Sequence, residues 1–232
     1  MAQKTLIKNY TRREFIGAGA ASTLALTYLP SRGFGANERL AMAGIGVGGK
    51  GSSDIDGAGT QGDVVAICDI DEKRLNAKGG RFKKAKKFFD YRAMLEKMGK
   101  SIDAVTVSTP DHTHAPAAIM AMRMGKHVYV QKPLTHDVYE SRRLREFAAK
   151  NDLVTQMGIQ VHSSAVYQLA AKLVHVGAIG KVTEVHTWSN KKWGDMRLRP
   201  NRADRVPKNL NWDHWCGVAP KVPYLKGYYH PG

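Results

Sequence analysis

The stretch from Leu40 to Gly51, LAMAGIGVGGKG, joins a short apolar run to a glycine-rich turn. A second apolar run, VVAIC, then ends in Asp69, 18 residues after Gly51. A buried strand, a tight turn into a helix and a second strand closed by a carboxylate form the layout of a dinucleotide-binding βαβ unit. The three glycines have separable duties. The first relaxes the turn, the second lets a pyrophosphate approach the backbone, and the third lets helix and strand pack closely. Two registers fit G-x-G-x-x-G, namely Gly44/Gly46/Gly49 and Gly46/Gly48/Gly51. The second leaves Leu40–Ile45 as an unbroken buried strand and is preferred. Asp69 stands where a ribose-binding acid is expected. It favours NAD over NADP, because a carboxylate accepts from ribose hydroxyls and repels a 2′-phosphate. Lys73 and Arg74 weigh against that preference, since a nearby cation accepts the same phosphate.

The chain has 232 residues and a net charge of +16. Residues 1–36 hold Lys4, Lys8, Arg12, Arg13 and Arg32 against Glu14, which accounts for +4 of it. The densest remaining cluster, RFKKAKK at 81–87, has no recognisable nucleic-acid module around it, so it reads as a solvated basic face and no nucleic-acid partner is expected. Cys68 and Cys216 make no disulfide framework, and neither has metal-ligand spacing. No metal is expected; His112 and His114 lack a third ligand nearby in sequence.

The N-terminus reads as a targeting segment. TRREFI precedes a 14-residue run of apolar and small residues from Ile16 to Leu29, and PSRGFGAN follows. Basic, apolar and small-residue regions in that order fit a signal peptide over 1–36. The run is too short and too rich in glycine and alanine for a stable membrane anchor. Arg12-Arg13 before Glu14-Phe15 resembles the bacterial twin-arginine signal. The expected location is periplasmic or secreted, with the twin-arginine machinery as a partner.

Beyond the signal, strands and helices alternate. Strands are expected at 40–45, 63–68, 87–89, 102–107, 127–130 and 153–157. Helices are expected at 51–59, 71–80, 91–98, 115–124 with Pro116 near the start, and 136–151 with Thr135 as its cap. This alternation predicts an α/β fold, a doubly wound parallel Rossmann sheet over 37–158. The pattern changes after Gly158. A helix is expected at 163–176, an alternating strand at 181–188 (KVTEVHTW), and loop from Ser189 onward. Residues 159–232 are read as the incomplete start of an α+β substrate domain.

The loops after the later strands narrow this further. Ser108-Thr109-Pro110-Asp111-His112-Thr113-His114 follows IDAVTV, and Gln131-Lys132-Pro133-Leu134 follows HVYV. TQMGIQVHS, GAIGKVTEVHTW and LNWDHWCGVAP come later. With the glycine turn, these segments resemble the Gfo/Idh/MocA family of NAD(P)-dependent oxidoreductases, in particular its exported, twin-arginine-bearing branch. The resemblance runs from about Arg39 to the C-terminus. It implies NAD as cofactor and a sugar or polyol as substrate. It places Gly46, Gly48, Gly51, Asp69, Thr109, Pro110, His114, Gln131 and Lys132 against the cofactor, and Gln160 and His162 in the substrate cleft. Ile159 stands where the exported branch often has Asn. Lys132 matches the family lysine beside the nicotinamide, where an amine can polarise the oxygen that gains or loses a proton as hydride moves. The family's usual signature is Glu-Lys-Pro, and here Gln131 replaces the Glu.

Family members usually continue well past a segment such as Tyr229-His230-Pro231. The resemblance therefore implies an N-terminal fragment of a longer protein, whose substrate-domain sheet would build a homo-oligomer. Two other functions stay open on the residues: an NAD-dependent glycoside hydrolase resembling the α-N-acetylgalactosaminidases, which oxidises its sugar transiently before elimination, and a non-catalytic NAD-binding fragment.

Overall fold

The computed structural model describes residues 39–190 and 198–229. The expected signal over 1–36 lies outside the described residues.

Six strands form one sheet: β1 (Leu40–Ile45), β2 (Gly62–Cys68), β3 (Lys86–Phe88), β4 (Ala104–Val107), β5 (His127–Gln131) and β6 (Thr155–Gly158). Their order is β3-β2-β1-β4-β5-β6, and every neighbouring pair is parallel. The sheet is thus wound from its middle at β1 outward to β3, then back past β1 to β4 and on the other way. That crossing leaves a crevice at the carboxyl ends of β1 and β4, where open α/β sheets bind ligands.

Five helices alternate with these strands: α1 (Gly49–Gln61), α2 (Glu72–Arg81), α3 (Tyr91–Met98), α4 (Asp111–Arg123) and α5 (Val138–Lys150). Side chains alternate across each strand, so both faces of the sheet are apolar. Ala43, Ile45, Val105, Val107 and Val130 pack with Met94, Leu95 and Met122 in the larger core. Ile67 and Val64 pack with Ile55 and Leu75 in the smaller one. Ile55 and Ile67 are fully buried, each worth roughly 1.5–3 kcal/mol by transfer from water.

Local signals set the helix starts. Asp71 and Asp90 cap α2 and α3 by accepting from Lys73 N–H and Arg92 N–H, each at 2.9 Å. The cap of α5 is Asp137 rather than Thr135. Asp137 accepts from Glu140 N–H at 2.9 Å and the Glu140 carboxylate returns the bond, a reciprocal capping box. Thr135 instead donates to the Asp137 carbonyl at 2.6 Å. Helix α4 starts four residues earlier than the sequence pattern suggests, with Pro110 at its cap and acidic Asp111 in its first turn. Pro116 therefore lies inside the helix, where it leaves the His112 carbonyl without its usual helical donor.

Past β6 the expectation of a strand at 181–188 fails: residues 181–190 adopt no regular secondary structure. Alternation supplies a two-faced strand, but a strand also needs a hydrogen-bonding partner, and none of the described residues pairs with it. Helix α6 (Ala165–His175) forms as expected, yet its apolar stripe stays open, with Val166 77% and Leu169 58% exposed. The expected loop after Ser189 contains a short helix, α7 (Trp212–Cys216). The segment around it lies on the sheet domain. Glu72 N–H donates to the Asn209 carbonyl at 2.8 Å, Asn211 N–H to the Ile70 carbonyl at 3.0 Å, and Asn209 Nδ2 to Asp71 Oδ1 at 2.8 Å.

Candidate functional site

The glycine turn is tightest against backbone at Gly46 and Gly51. Gly46 has φ +76°, and a Cβ there would sit 2.6 Å from the Ser108 carbonyl oxygen. Gly46 N–H donates to the Cys68 carbonyl at 2.8 Å, and Ser108 N–H donates to the Ile45 carbonyl at 2.9 Å. The turn is thereby held by the strands on both sides of β1. A Cβ on Gly51 would stand 1.9 Å from the Gly46 carbonyl oxygen, so α1 lies directly on the turn. Gly48 caps α1 with no side-chain acceptor. The first N–H groups of α1 have no partner within the helix and carry its positive dipole end, which suits a phosphate.

Asp69 sits at the end of β2 and is 8% exposed. Its Oδ2 accepts from Val47 N–H at 2.9 Å and Gly48 N–H at 3.0 Å, and its Oδ1 accepts from Asp71 N–H at 2.9 Å. Before it meets any ligand, then, this carboxylate already shapes the glycine turn. Burial pushes the Asp69 carboxyl up from its ordinary value, against the pull of these three donors and of Arg74. Arg74 lies over Gly48, with its side chain 2.2 Å from where a Cβ would be. Its Nε is 3.6 Å from Asp71 Oδ2.

A cleft of about 490 Å³ opens here, at the carboxyl ends of β1, β2 and β4. Gly46, Gly48, Asp69, Thr109 and Pro110 line it. Cys68 lies at its floor, where burial, then the charges of Asp69 and Asp90, push the thiol well up. That makes Cys68 a packing residue rather than a nucleophile.

Among the residues expected at the site, His114 is buried and spans two loops. Its Nε2 is 2.8 Å from the Thr109 carbonyl oxygen and its Nδ1 is 2.7 Å from that of Pro133. The ring therefore ties the loop after β4 to the loop after β5. Gln131 is buried at the end of β5, and its Oε1 accepts from Lys132 N–H and from Gln160 Nε2, each at 3.0 Å. Lys132 follows with an exposed side chain and a cis peptide bond to Pro133. His162 is not brought to this group: it is exposed and stacks on Tyr167 at 5.6 Å.

Two features were missed in the sequence. The first is the tie made by His112, whose Nε2 is 2.8 Å from the Trp215 carbonyl oxygen and whose ring meets the Trp215 ring edge-on at 5.4 Å. The second is the cleft's outer wall, made by Asp213, His214, Trp215 and Tyr229 from the far end of the chain. Nothing in sequence spacing puts 213–229 beside 90–113; only the aromatic density of NWDHW hinted at a packed segment. Arg92 reaches this wall, its guanidinium 3.4 Å from His214 Nε2. Asp90 is partly buried, which works the other way, but its hydrogen bonds to Arg92 hold its carboxyl below the usual range. Among the described residues no cluster of His, Cys, Asp and Glu suits a metal ion.

The residues fit a dinucleotide: a glycine cradle at Gly46, Gly48 and Gly51, a helix N-terminus behind it, and the Asp69 carboxylate at the end of β2. Comparison with known proteins agrees. Residues 39–159 match the model of the Gfo/Idh/MocA oxidoreductase family with its NAD-binding Rossmann fold. The chain is 41% identical over 124 residues to a dTDP-3,4-didehydro-2,6-dideoxy-alpha-D-glucose 3-reductase of Streptomyces violaceoruber, covering 53% of this chain and 33% of that protein. It is 35% identical over 80 residues to the scyllo-inositol 2-dehydrogenase (NAD(+)) of Bacillus subtilis, covering 34% of this chain and 23% of that protein. These matches thus span a third or less of each relative's length. In fold it resembles the Lactobacillus casei scyllo-inositol dehydrogenase solved with NAD(H) and scyllo-inositol, with a TM-score of 0.58 and 23% identity, covering 63% of this chain and 44% of that one. With its glycine cradle, its parallel sheet and more than half its length matched, the chain belongs to the Gfo/Idh/MocA oxidoreductase family, whose NAD-binding Rossmann fold it carries.

Proposed function

We propose that the chain supplies the cofactor domain of an oxidoreductase that moves hydride between NAD and a hydroxyl or carbonyl carbon of a sugar or polyol. The observation that carries this reading is the cradle of Gly46, Gly48 and Gly51, with the Lys132 loop on the same edge of the sheet. Bound NAD would supply the hydride acceptor or donor. The backbone of Gly48 and the N-terminus of α1 would hold the pyrophosphate, and Asp69 would accept from the ribose with the lone pairs its three N–H partners leave. Lys132 would hold or move the proton at the substrate oxygen. The names of the relatives above support the substrate class. Titration of the chain with NAD and NADP tests the reading. Saturable NAD binding, tighter than NADP and weakened by Gly48→Val, is expected; no binding of either nucleotide would overturn it.

We also propose export by the twin-arginine route. The support is Arg12-Arg13 before a short, weakly hydrophobic run. Replacing both with Lys should strand the protein in the cytoplasm on fractionation, and unchanged export would refute the proposal.

A further inference from the structure

Helix α1 carries a carboxylate that the cradle does not use. The Asp54 side chain is only 4% exposed. Its Oδ2 accepts from Ser108 Oγ at 2.8 Å and from Gln131 Nε2 at 3.0 Å, while its Oδ1 pairs with Lys50 Nζ. Tyr129 lies close by, and after burial it is the Asp54 charge that pushes the Tyr129 hydroxyl up. Gln131 uses its other end as an acceptor: Oε1 takes the backbone N–H of Lys132 and the side-chain Nε2 of Gln160. The room for this comes from Gly158, where a Cβ would stand 2.7 Å from both Gln131 Nε2 and the Tyr129 hydroxyl oxygen. A continuous path of carboxylate, amide and peptide N–H therefore joins the helix behind the glycine turn to the Lys132 peptide.

The two ends of Gln131 are not interchangeable. Position 131 must donate toward Asp54 and accept toward Lys132 N–H. A glutamine does both. A glutamate, the residue of the family's usual Glu-Lys-Pro signature, would set a second carboxylate at hydrogen-bond distance from Asp54. Two carboxylates so close cannot both ionise, so the pair would hold one proton between them.

We propose that Asp54 is a positioning residue for Lys132, acting through Gln131, and that Asp54 and Gln131 form a matched acceptor–donor pair. The catalytic role of Lys132 rests on the function proposed above; the matched pair does not. The titratable and charged groups facing position 131 are Asp54 and Lys50 from α1, Tyr129 from β5, and Lys132 next in sequence.

The test compares the wild-type chain, Gln131→Glu, Asp54→Asn and the double variant from pH 5.5 to 8.5. Three quantities are read: the melting temperature, NAD affinity, and the rate at which an amine reagent labels Lys132, followed by peptide mass. Gln131→Glu should track wild type at the acid end, where a shared proton replaces the amide donor. By pH 8.5 it should melt lower, bind NAD at least tenfold more weakly and show an altered labelling rate. Asp54→Asn alone should shift Lys132 labelling at every pH. In the double variant the amide stands on α1 and the carboxylate on β5, so the donor and acceptor have exchanged places. It should return all three quantities to the wild-type pH profile. A Gln131→Glu profile parallel to wild type, a double variant no better than Gln131→Glu, or Lys132 labelling unmoved in every variant would overturn the proposal. If wild type itself binds no NAD, the proposed function fails, while the melting and labelling profiles still decide the pair.

Discussion

Gly48 and Gly51 are three residues apart in one motif and fail differently when given a side chain. At Gly51 the obstacle is the Gly46 carbonyl oxygen at 1.9 Å, which is backbone and cannot swing away. At Gly48 it is the flexible Arg74 arm. Gly51→Ala should therefore cost stability on the large side for a single substitution, above about 3 kcal/mol. Gly48→Ala should stay within about 1 kcal/mol of wild type, because displacing a flexible arm costs little. Urea denaturation of both variants checks the order, and equal losses would refute it. Asp69 adds a pH dependence. Because burial raises its carboxyl in the folded state, the native protein holds that proton more tightly than the unfolded chain. Its contribution to stability is complete below the unfolded value of about 3.9 and is lost as pH rises through the raised folded value. Wild type should thus lose melting temperature relative to Asp69→Asn as pH climbs from just below 4 through that range; a constant difference would show that the three N–H donors cancel the burial. The glycines were legible in sequence because φ and close approach restrict residue type. Asp54 was not, since a carboxylate on a helix reads as a solvated group until the fold buries it against β5.

Strands and helices were legible wherever two local signals agreed. β1 was expected at 40–45 and α3 at 91–98, where both lie; an apolar run meets a glycine turn in the first, and in the second the structure adds an Asp90 cap ahead of the buried Met94, Leu95 and Met98. The start of α4 moved because Pro110 and Asp111 nucleate the first turn ahead of the apolar stripe. KVTEVHTW alternates as a strand should, but alternation does not supply a neighbour. The segment from Asn209 to Gly217 was illegible for the opposite reason. It carries little periodicity, and its place is set by long-range bonds from Glu72, Asn211 and His112. This yields a prediction at the scale of the element. His112→Ala removes the side-chain bond to the Trp215 carbonyl and opens the edge-on ring contact. The outer wall of the cleft should loosen, protease cleavage between 200 and 217 should accelerate, and NAD should dissociate several-fold faster, while the melting temperature of the sheet changes little. Unchanged cleavage and dissociation would mean that the Glu72 and Asn211 backbone bonds suffice to hold the wall.

At the scale of the molecule, two regions follow different physics. From 39 to 160 the apolar faces are covered on both sides of the sheet. From 165 to 188 they are not: Val166 and Leu173 on the α6 stripe are 77% and 45% exposed, Val176 just past it is 67% exposed, and Val185 and Trp188 are 73% and 86% exposed. So many exposed large apolar side chains in one stretch of chain favour association unless something covers them. The net charge of +16 opposes self-association at low salt, and screening weakens that opposition as the Debye length shrinks to about 8 Å at 0.15 M. The full chain should therefore self-associate in a concentration-dependent way that strengthens with salt. A chain ending at Gln160 keeps all six strands, the glycine cradle and Gln131 with its partners. It should stay monomeric in the same buffers and unfold in one cooperative step. It also loses the wall formed by Trp215 and Tyr229, so it should bind NAD more weakly than the full chain does. Sedimentation of both chains from low to high salt, beside NAD titration, separates the effects. If the shorter chain associates as strongly as the longer one, the sticky surface lies in the sheet domain. The groove between α5 and β6, lined by Val130, Leu144 and Met157, would then be the place to look.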